Sequence, residues 1–494
     1  MKSKKLATLL LTLVFALGLI PMSAFAAQRD VVVGSTASIR VENAVENDVL
    51  AAYKVVDLTY DAATNTLNYV WNRAFGDYFA GTTPYNSTAY TVEQFDALEN
   101  DSDALKALLA GLPQYLNDNS VAAVQTQTVG ADGTATFANL EMGEYFIRPT
   151  STTSVYQLML QKLEPTVSGG KYVIDDLTFG AKREEVSVDK AANKTSVTKK
   201  EKVTYTIKVN IPTYATGAVD KSFYVSDLLP DGLTIDPASI KVQIDGADVD
   251  TAAYTLDTTA VAEYTFKLSV STEQYTDNWS ANGGKQLVIT YTASLNDDGT
   301  TEVNTKETNT VTFDYSNYPY VENSHKQKTD TVDVTTFAIK IDKFVDGDEV
   351  TKLAGAKFDL YRTVYSGETG VTIPHTSIKG IKLEGDKVTA ADGSVTFKKY
   401  EANGTSYDYY LVETVAPSGY NLLDNAVKVN FTDDDVAMTG GVYTVKVKNT
   451  SGIQLPITGG TGTVIFTVVG IALMVGAVVL LVVSSKKSKA NDNK

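Results

Sequence analysis

Asn309-Thr310-Val311-Thr312-Phe313-Asp314-Tyr315 alternates strictly between two faces. Successive side chains of a strand point to opposite sides, so Asn309 shares a face with Val311, Phe313 and Tyr315. That face is apolar and marks the core side of a half-buried strand, and a carboxamide points into the core with it. Two further segments follow the same rule. In Val186-Ser187-Val188-Asp189-Lys190, the face of Val186 and Val188 includes Lys190. In Phe223-Tyr224-Val225-Ser226-Asp227, the face of Phe223 and Val225 includes Asp227. An opening strand, a closing strand and one between them thus send three polar groups into one interior. Downstream the set recurs. Lys343 sides with Ile339 and Ile341, Glu413 with Tyr409 and Leu411, and Asn449 with Tyr443, Val445 and Val447.

Buried lysine, asparagine and carboxylate are costly unless they satisfy one another. An apolar site lowers the pKa of an amine and raises that of an acid. A neutral amine is a nucleophile, and a protonated carboxyl can polarise the asparagine carbonyl. The amine attacks the amide carbon, the carboxyl relays protons, and ammonia leaves. The expected products are isopeptide crosslinks Lys190–Asn309 and Lys343–Asn449, with Asp227 and Glu413 as autocatalytic proton relays in a single turnover. One such residue at a strand end is more often solvated or hydrogen-bonded. Matched parity and placement in two modules favour the crosslink.

The rest of the central chain also reads as strands, short alternating runs rich in Val, Thr and Tyr with turn residues between. The 28 tyrosines and 17 phenylalanines of the full sequence suit pleated, half-buried surfaces. The fold class is all-β. One segment differs: 91–116 predicts a helical insertion, with Phe95, Leu98, Leu105, Leu108 and Leu109 at helix-like intervals and Gly111 as its stop. Ala131-Asp132-Gly133-Thr134-Ala135-Thr136-Phe137 is echoed by Ala391-Asp392-Gly393-Ser394-Val395-Thr396-Phe397, and Tyr145–Thr150 by Tyr409–Thr414. The first and third modules are therefore expected to share a fold, with boundaries near 184 and 334. Both junctions are polar and lack a long linker, so a rod of stacked domains is expected. In the first module Pro149 holds the place of Glu413, Glu144 reads as lying at the turn, and no inward asparagine closes the module. No isopeptide bond is expected there.

The ends carry addresses. Lys2, Lys4 and Lys5 precede the apolar stretch Leu6 to Ile20, and Ala24-Phe25-Ala26 offers a small-x-small cleavage site, so 1–26 reads as a secretory signal peptide. At the other end Leu455-Pro456-Ile457-Thr458-Gly459 precedes an apolar run from about Val464 to Val483, then Lys486, Lys487 and Lys489. Roughly 20 apolar residues span the hydrocarbon core as a helix, and trailing lysines stay on the cytoplasmic side. The formal charge of −16 argues against nucleic acid as a partner. There is no cysteine, so no disulfide reinforces this exported chain. With only His325 and His375 besides, a zinc site or a Cys/His pair is nearly excluded. No cofactor or metal is expected, and no nucleophile elbow or carboxylate pair suggests a hydrolase.

The pentapeptide matches the LPXTG sorting signal of Gram-positive surface proteins. That resemblance implies a sortase, whose thiolate attacks the carbonyl of Thr458 so that Gly459 leaves and an amine resolves the thioester. Taken together, the chain resembles the major, or backbone, pilins of Gram-positive sortase-assembled pili. The resemblance implies tandem Ig-like/Cna-type β-sandwich domains: an N-terminal pilin domain (27–184), an isopeptide-forming D2 domain (185–334) and a Cna B-type domain (335–450), before the sorting segment 451–494. Tyr315-Ser316-Asn317 and Pro319 carry the D2 likeness. Leu353-Ala354-Gly355-Ala356-Lys357-Phe358 and the E-box ending Glu413-Thr414-Val415-Ala416-Pro417-Ser418-Gly419-Tyr420 carry that of the third domain. In that family a lysine in a Val-x-Val-Tyr-Pro-Lys motif receives the threonine of the next subunit. The matching stretch here is Leu177-Thr178-Phe179-Gly180-Ala181-Lys182, with Gly180 and Ala181 in place of Tyr and Pro, so Lys182 is the implied acceptor. The implied partners are sortase, identical subunits in a head-to-tail polymer, minor tip and basal pilins, and peptidoglycan. The implied location is a cell-surface pilus covalently attached to the wall. The alternative is a monomeric wall-anchored adhesin that binds a host ligand through its first domain.

Overall fold

The computed structural model describes residues 29–99, 102–215, 217–296, 306–403, 407–437, 440–452 and 461–491. The signal peptide 1–26 and Leu455–Gly459 lie outside the described residues. The chain forms two compact units. One takes the described residues up to 193 with 204–293 and 308–332; the other takes those of 194–203, 294–307 and 333 onward.

In the first unit the strand Val49–Asp61 lies between Thr66–Trp71 and Gly143–Ser151, with Met159–Leu163 beyond. It faces a second sheet of Leu177–Gly180, Thr36–Glu42 and Ala135–Glu141. Leu50, Ala52 and Leu58 point into the core between the sheets, while Ala51, Tyr53, Val55 and Val56 pack against helices on the opposite face. Burial on both faces turns alternation into a nearly continuous buried run. The expected single helix over 91–116 is three: Val92–Asp96, Asp103–Ala110 and Leu112–Asp118. The breaks have local causes. Ser102 caps the second helix by accepting from Leu105 N, and Gly111 ends it as expected. Pro113 then sits in the first turn of the third.

The same unit contains a second sandwich. One sheet runs Val188–Ala192, Lys202–Asn210, Gln286–Leu295, Leu233–Ile244, Ala247–Asp248. The other runs Thr255–Asp257, Phe266–Val270, Phe223–Leu228, Lys306–Ser316, His325–Thr335. The strand Lys306–Ser316 shows the period-2 burial read from its sequence. It does not close the module, however, because His325–Thr335 pairs beyond it. That segment is an edge strand, half-buried over most of its length, with no apolar face to announce it.

In the second unit Phe337–Val345 lies between Asp348–Lys352 and Ser394–Tyr400 and also pairs in parallel with the last strand, Val442–Asn449. The opposing sheet runs Val371–Thr372, Lys379–Val388, Lys357–Thr363, Tyr409–Val415, Val427–Val429. The internal repeat is one turn used twice. Asp132 Oδ1 accepts from Thr134 N and Asp392 Oδ1 from Ser394 N, and Gly133 and Gly393 take φ of 72° and 74°. A Cβ on Gly393 would lie 2.3 Å from the carbonyl oxygen of Lys343, so this turn also seats the strand bearing that lysine. The helix Thr461–Asn491 includes an apolar stretch, Phe466–Ser484, long enough to cross a bilayer.

Candidate functional site

Alternation places the first constellation between the two sheets of the second sandwich. Lys190 comes from Val188–Ala192 on one sheet, and Asp227 and Asn309 from adjacent strands of the other, where Asp227 pairs with Val311. Lys190 is 5% exposed, and Asp227 and Asn309 are fully buried. The Lys190 ammonium hydrogen-bonds Asp227 Oδ2. A residue that sequence reading missed ties the set together. Tyr291 Oη accepts from Lys190 Nζ at 3.2 Å and from Asn309 Nδ2 at 2.6 Å, and donates to Asp227 Oδ1 at 2.8 Å. The Asn309 Oδ1 atom is buried without a hydrogen bond. Tyr291 carries the one polar tip on the inward row Leu287, Ile289, Tyr291, Ala293, Leu295, and that was the available signal. Burial lowers the lysine pKa even against the pull of Asp227, and burial raises that of Asp227.

The second constellation differs in layout. Lys343 and Asn449 lie on neighbouring parallel strands of one sheet, where Lys343 pairs with Val447 and Val345 with Asn449. Glu413 reaches them from the opposing sheet. Lys343 is 0% exposed, with Nζ 3.1 Å from Glu413 Oε1. Asn449 Nδ2 donates to Glu413 Oε2 at 2.9 Å and to the Asn421 carbonyl at 2.5 Å, and Leu423 N donates to the same carboxylate oxygen at 3.0 Å. Burial lowers the Lys343 pKa, and the Phe358 ring lies 5.4 Å from its ammonium. All six residues predicted to meet therefore do so in two groups of three.

In the first sandwich Glu144 is not at a turn. It lies in the strand Gly143–Ser151 opposite Val56, fully buried. It shares the outward parity of Phe146 and Arg148, the face covered by the helices. Arg148 holds that cover by donating to Pro113 O at 3.0 Å and Asn117 Oδ1 at 2.7 Å. Burial first, then neighbouring carboxylates, pushes the Glu144 carboxyl up to about 7 against the pull of Lys162. Lys182 is exposed, two residues beyond the strand Leu177–Gly180. It stands at a cavity of about 590 Å³ lined in part by Leu105, Gln157, Phe179 and Tyr320.

A third cluster has the outline of a hydrolytic triad. His325 Nδ1 lies 2.5 Å from Asp314 Oδ1, and its Nε2 lies 3.1 Å from Ser222 Oγ. Asp220 Oδ2, at 3.0 Å, claims that same nitrogen. Burial opposes the charged ring, but hydrogen bonds to the two carboxylates outweigh it and raise the pKa to about 9. An imidazolium cannot take a proton from serine, so the cluster is a clamp between strands. Its stabilisation is fully present below the ordinary histidine value of 6.5 and is lost as pH rises through about 9. His325→Gln should therefore lower the melting temperature most below pH 6.5, with the deficit vanishing above about pH 9. A deficit independent of pH across that window would show that packing, not charge, holds the clamp.

Residues 337–450 match the SpaA family, described as a prealbumin-like fold domain, and 447–490 match the LPXTG cell wall anchor motif. A fimbrial subunit type 1 of Actinomyces viscosus is 26% identical over 422 residues, covering 74% of this chain and 78% of that protein. The trypsin-resistant surface T6 protein of Streptococcus pyogenes serotype M6 is 25% identical over 360 residues, covering 58% of this chain and 65% of that protein. Solved structures share the fold. The T6 backbone pilin of serotype M6 S. pyogenes has a TM-score of 0.58 at 18% identity, over 81% of this chain and 80% of that one. The major pilin SpaD of Corynebacterium diphtheriae has a TM-score of 0.55 at 17% identity, over 86% of this chain and all of that one. With its prealbumin-like domain, its LPXTG cell wall anchor motif and these relatives, the chain is similar to the cell-wall-attached backbone pilins of Gram-positive bacteria.

Proposed function

We propose that this pilin is the shaft subunit of a covalent pilus and that two internal isopeptide bonds, Lys190–Asn309 and Lys343–Asn449, stiffen each link. The observation that carries the proposal is the burial of a lysine, a carboxyl and a carboxamide together in each of two sandwiches. A buried ion pair is weak support for stability alone, since apolar residues of similar volume often do as well. Two such triples are better explained by the bond they can form. Three modules, 27–184, 185–334 and 335–450, then alternate along each subunit. Sortase would cut after Thr458 and join it to Lys182 of the next subunit, and minor pilins would cap the tip and the base. The final transfer would be to peptidoglycan.

The chemistry balances on the residues present. In the second module Lys190 Nζ attacks Asn309 Cγ, the Cγ–Nδ2 bond breaks, and Nδ2 leaves as ammonia with a proton taken from the amine. Asp227 accepts that proton, and Tyr291 stands between Asp227 and Nδ2, in line to pass it on. Tyr291→Phe should slow the Lys190–Asn309 bond while Lys343–Asn449 forms at its usual rate. Peptide mass mapping at intervals after refolding of unreacted protein reads both, and equal rates in wild type and variant would remove Tyr291 from the relay. Immunoblots of wall extracts from the native host test the shaft role. A ladder of multiples of one subunit supports it, and a single wall-linked band would favour the adhesin that binds a host ligand.

A further inference from the structure

We propose that Asp96, Glu144 and Glu164 form a binding site for calcium, which pins the end of the helix Val92–Asp96 to the first sandwich. The three side chains come from separate elements: the helix end, the strand Gly143–Ser151, and the residue following the strand Met159–Leu163 by one. One carboxylate oxygen of each lies within 4.8 Å of the others. Calcium binds oxygens at 2.3–2.6 Å, so ligands on opposite sides of one ion stand roughly 4.6–5.2 Å apart. The cluster is thus already drawn to the span of a single coordination sphere.

The independent sign of a ligand is Glu144. It is 0% exposed, it points into the cluster, and neither of its carboxylate oxygens has a hydrogen bond. Glu164 Oε1 is likewise buried without one. Such groups are rare in folded proteins and call for a partner. Lys162 is the resident cation. It ion-pairs with Asp96 and reaches only to 3.8 Å from Glu144 Oε1. One ammonium set against three acidic side chains leaves an excess of negative charge that a divalent cation offsets better than the single charge it displaces. Lys162 is 28% exposed and Asp96 52% exposed, so the ammonium can swing into solvent and the ion has a way in. An all-oxygen donor set selects hard cations, and ligands from three elements suit the adaptable geometry of calcium over the octahedron magnesium demands.

Calorimetric titration of the full chain, first stripped with EDTA, tests this with calcium chloride alone. One saturable site is expected in the range typical of extracellular modules, about 0.1–1 mM, with a melting temperature that rises over the same range. Glu144→Gln should abolish both effects. Lys162→Ala should bind calcium more tightly, because it removes the competing cation. Magnesium at equal concentration should give a smaller shift. No saturable binding in the wild type overturns the site. So does an equal calcium response in Glu144→Gln, which would mean diffuse binding to an acidic surface. So does a Lys162→Ala variant that is destabilised and not rescued by calcium, which would make Lys162 the permanent counter-ion. A magnesium shift as large as that of calcium overturns the assignment of the ion.

Discussion

The purified surface region, residues 27–452, should weigh less than its sequence by two molecules of ammonia. Asp227→Ala should restore one of them and Glu413→Ala the other. Tryptic digests should then yield two branched peptides, one joining Lys190 to Asn309 and one joining Lys343 to Asn449, each lost in its own variant. The expected cost of losing either bond is large. Each closes a loop on the order of 100 residues, worth about 4.7 kcal/mol in the chain-entropy model developed for disulfides. At roughly 5–15 kcal/mol of total stability for a domain, that is a major share, and each variant should be cleaved by trypsin under conditions the parent survives. The arrangement also predicts a difference between the two modules. In the C-terminal one the crosslink would join the first strand to the last, so tension entering at Phe337–Val345 would leave through Val442–Asn449 without loading the body. In the preceding one, His325–Thr335 lies outside the closed loop. That edge strand can peel under force up to Asn309 while the remainder holds. Folded protein in which Lys190 and Lys343 occur in ordinary linear peptides would defeat the crosslink reading in both places.

The legibility of these sites followed the packing. Where one face of a strand meets the core and the other meets water, parity assigns every side chain. Lys190, Asp227, Asn309, Lys343, Glu413 and Asn449 could therefore be placed inward from sequence. Parity fails where both faces are covered. Glu144 read as lying at the turn, yet it is a strand residue with Arg148 on the face that the helical insertion covers. Nothing in the strand's own sequence reports a cover supplied by residues 92–118. Tyr291 was hidden for another reason. A tyrosine in an apolar row looks like ordinary core, and only the third dimension sets its hydroxyl between an acid and an amide. The edge strand His325–Thr335 was missed because edge strands carry polar residues on both faces. The helical segment was recognised by its period and its stop at Gly111, but the earlier break is a capping event at Ser102 that outweighs a continuous apolar stripe.

Replacing Lys182 should abolish polymer entirely while leaving the single subunit attached to the wall. On the proposed mechanism the two events would separate because they would use different amines on the same acyl-enzyme: a lysine of another subunit for polymerisation, and the amine of a cell-wall precursor for anchoring. The acceptor must be exposed and approachable by an enzyme that would already carry a threonyl thioester, and Lys190 fails that requirement. Lys190 is buried against Asp227. Lys171 is exposed, but it lies outside the stretch 177–182 that matches the pilin motif, on a different sheet from the Leu177–Gly180 strand. Lys182 is exposed and stands beside a cavity of about 590 Å³. Lys182→Ala and Lys182→Arg should both erase the ladder on denaturing gels, since arginine keeps the charge but its guanidinium stays protonated and is no nucleophile. Thr458→Ala should remove the ladder and the wall-linked monomer together. A ladder that persists in Lys182→Ala would reassign the acceptor to another lysine. The absence of any ladder in the unaltered host strain would instead remove the shaft role and leave the two internal crosslinks as reinforcement of a solitary adhesin.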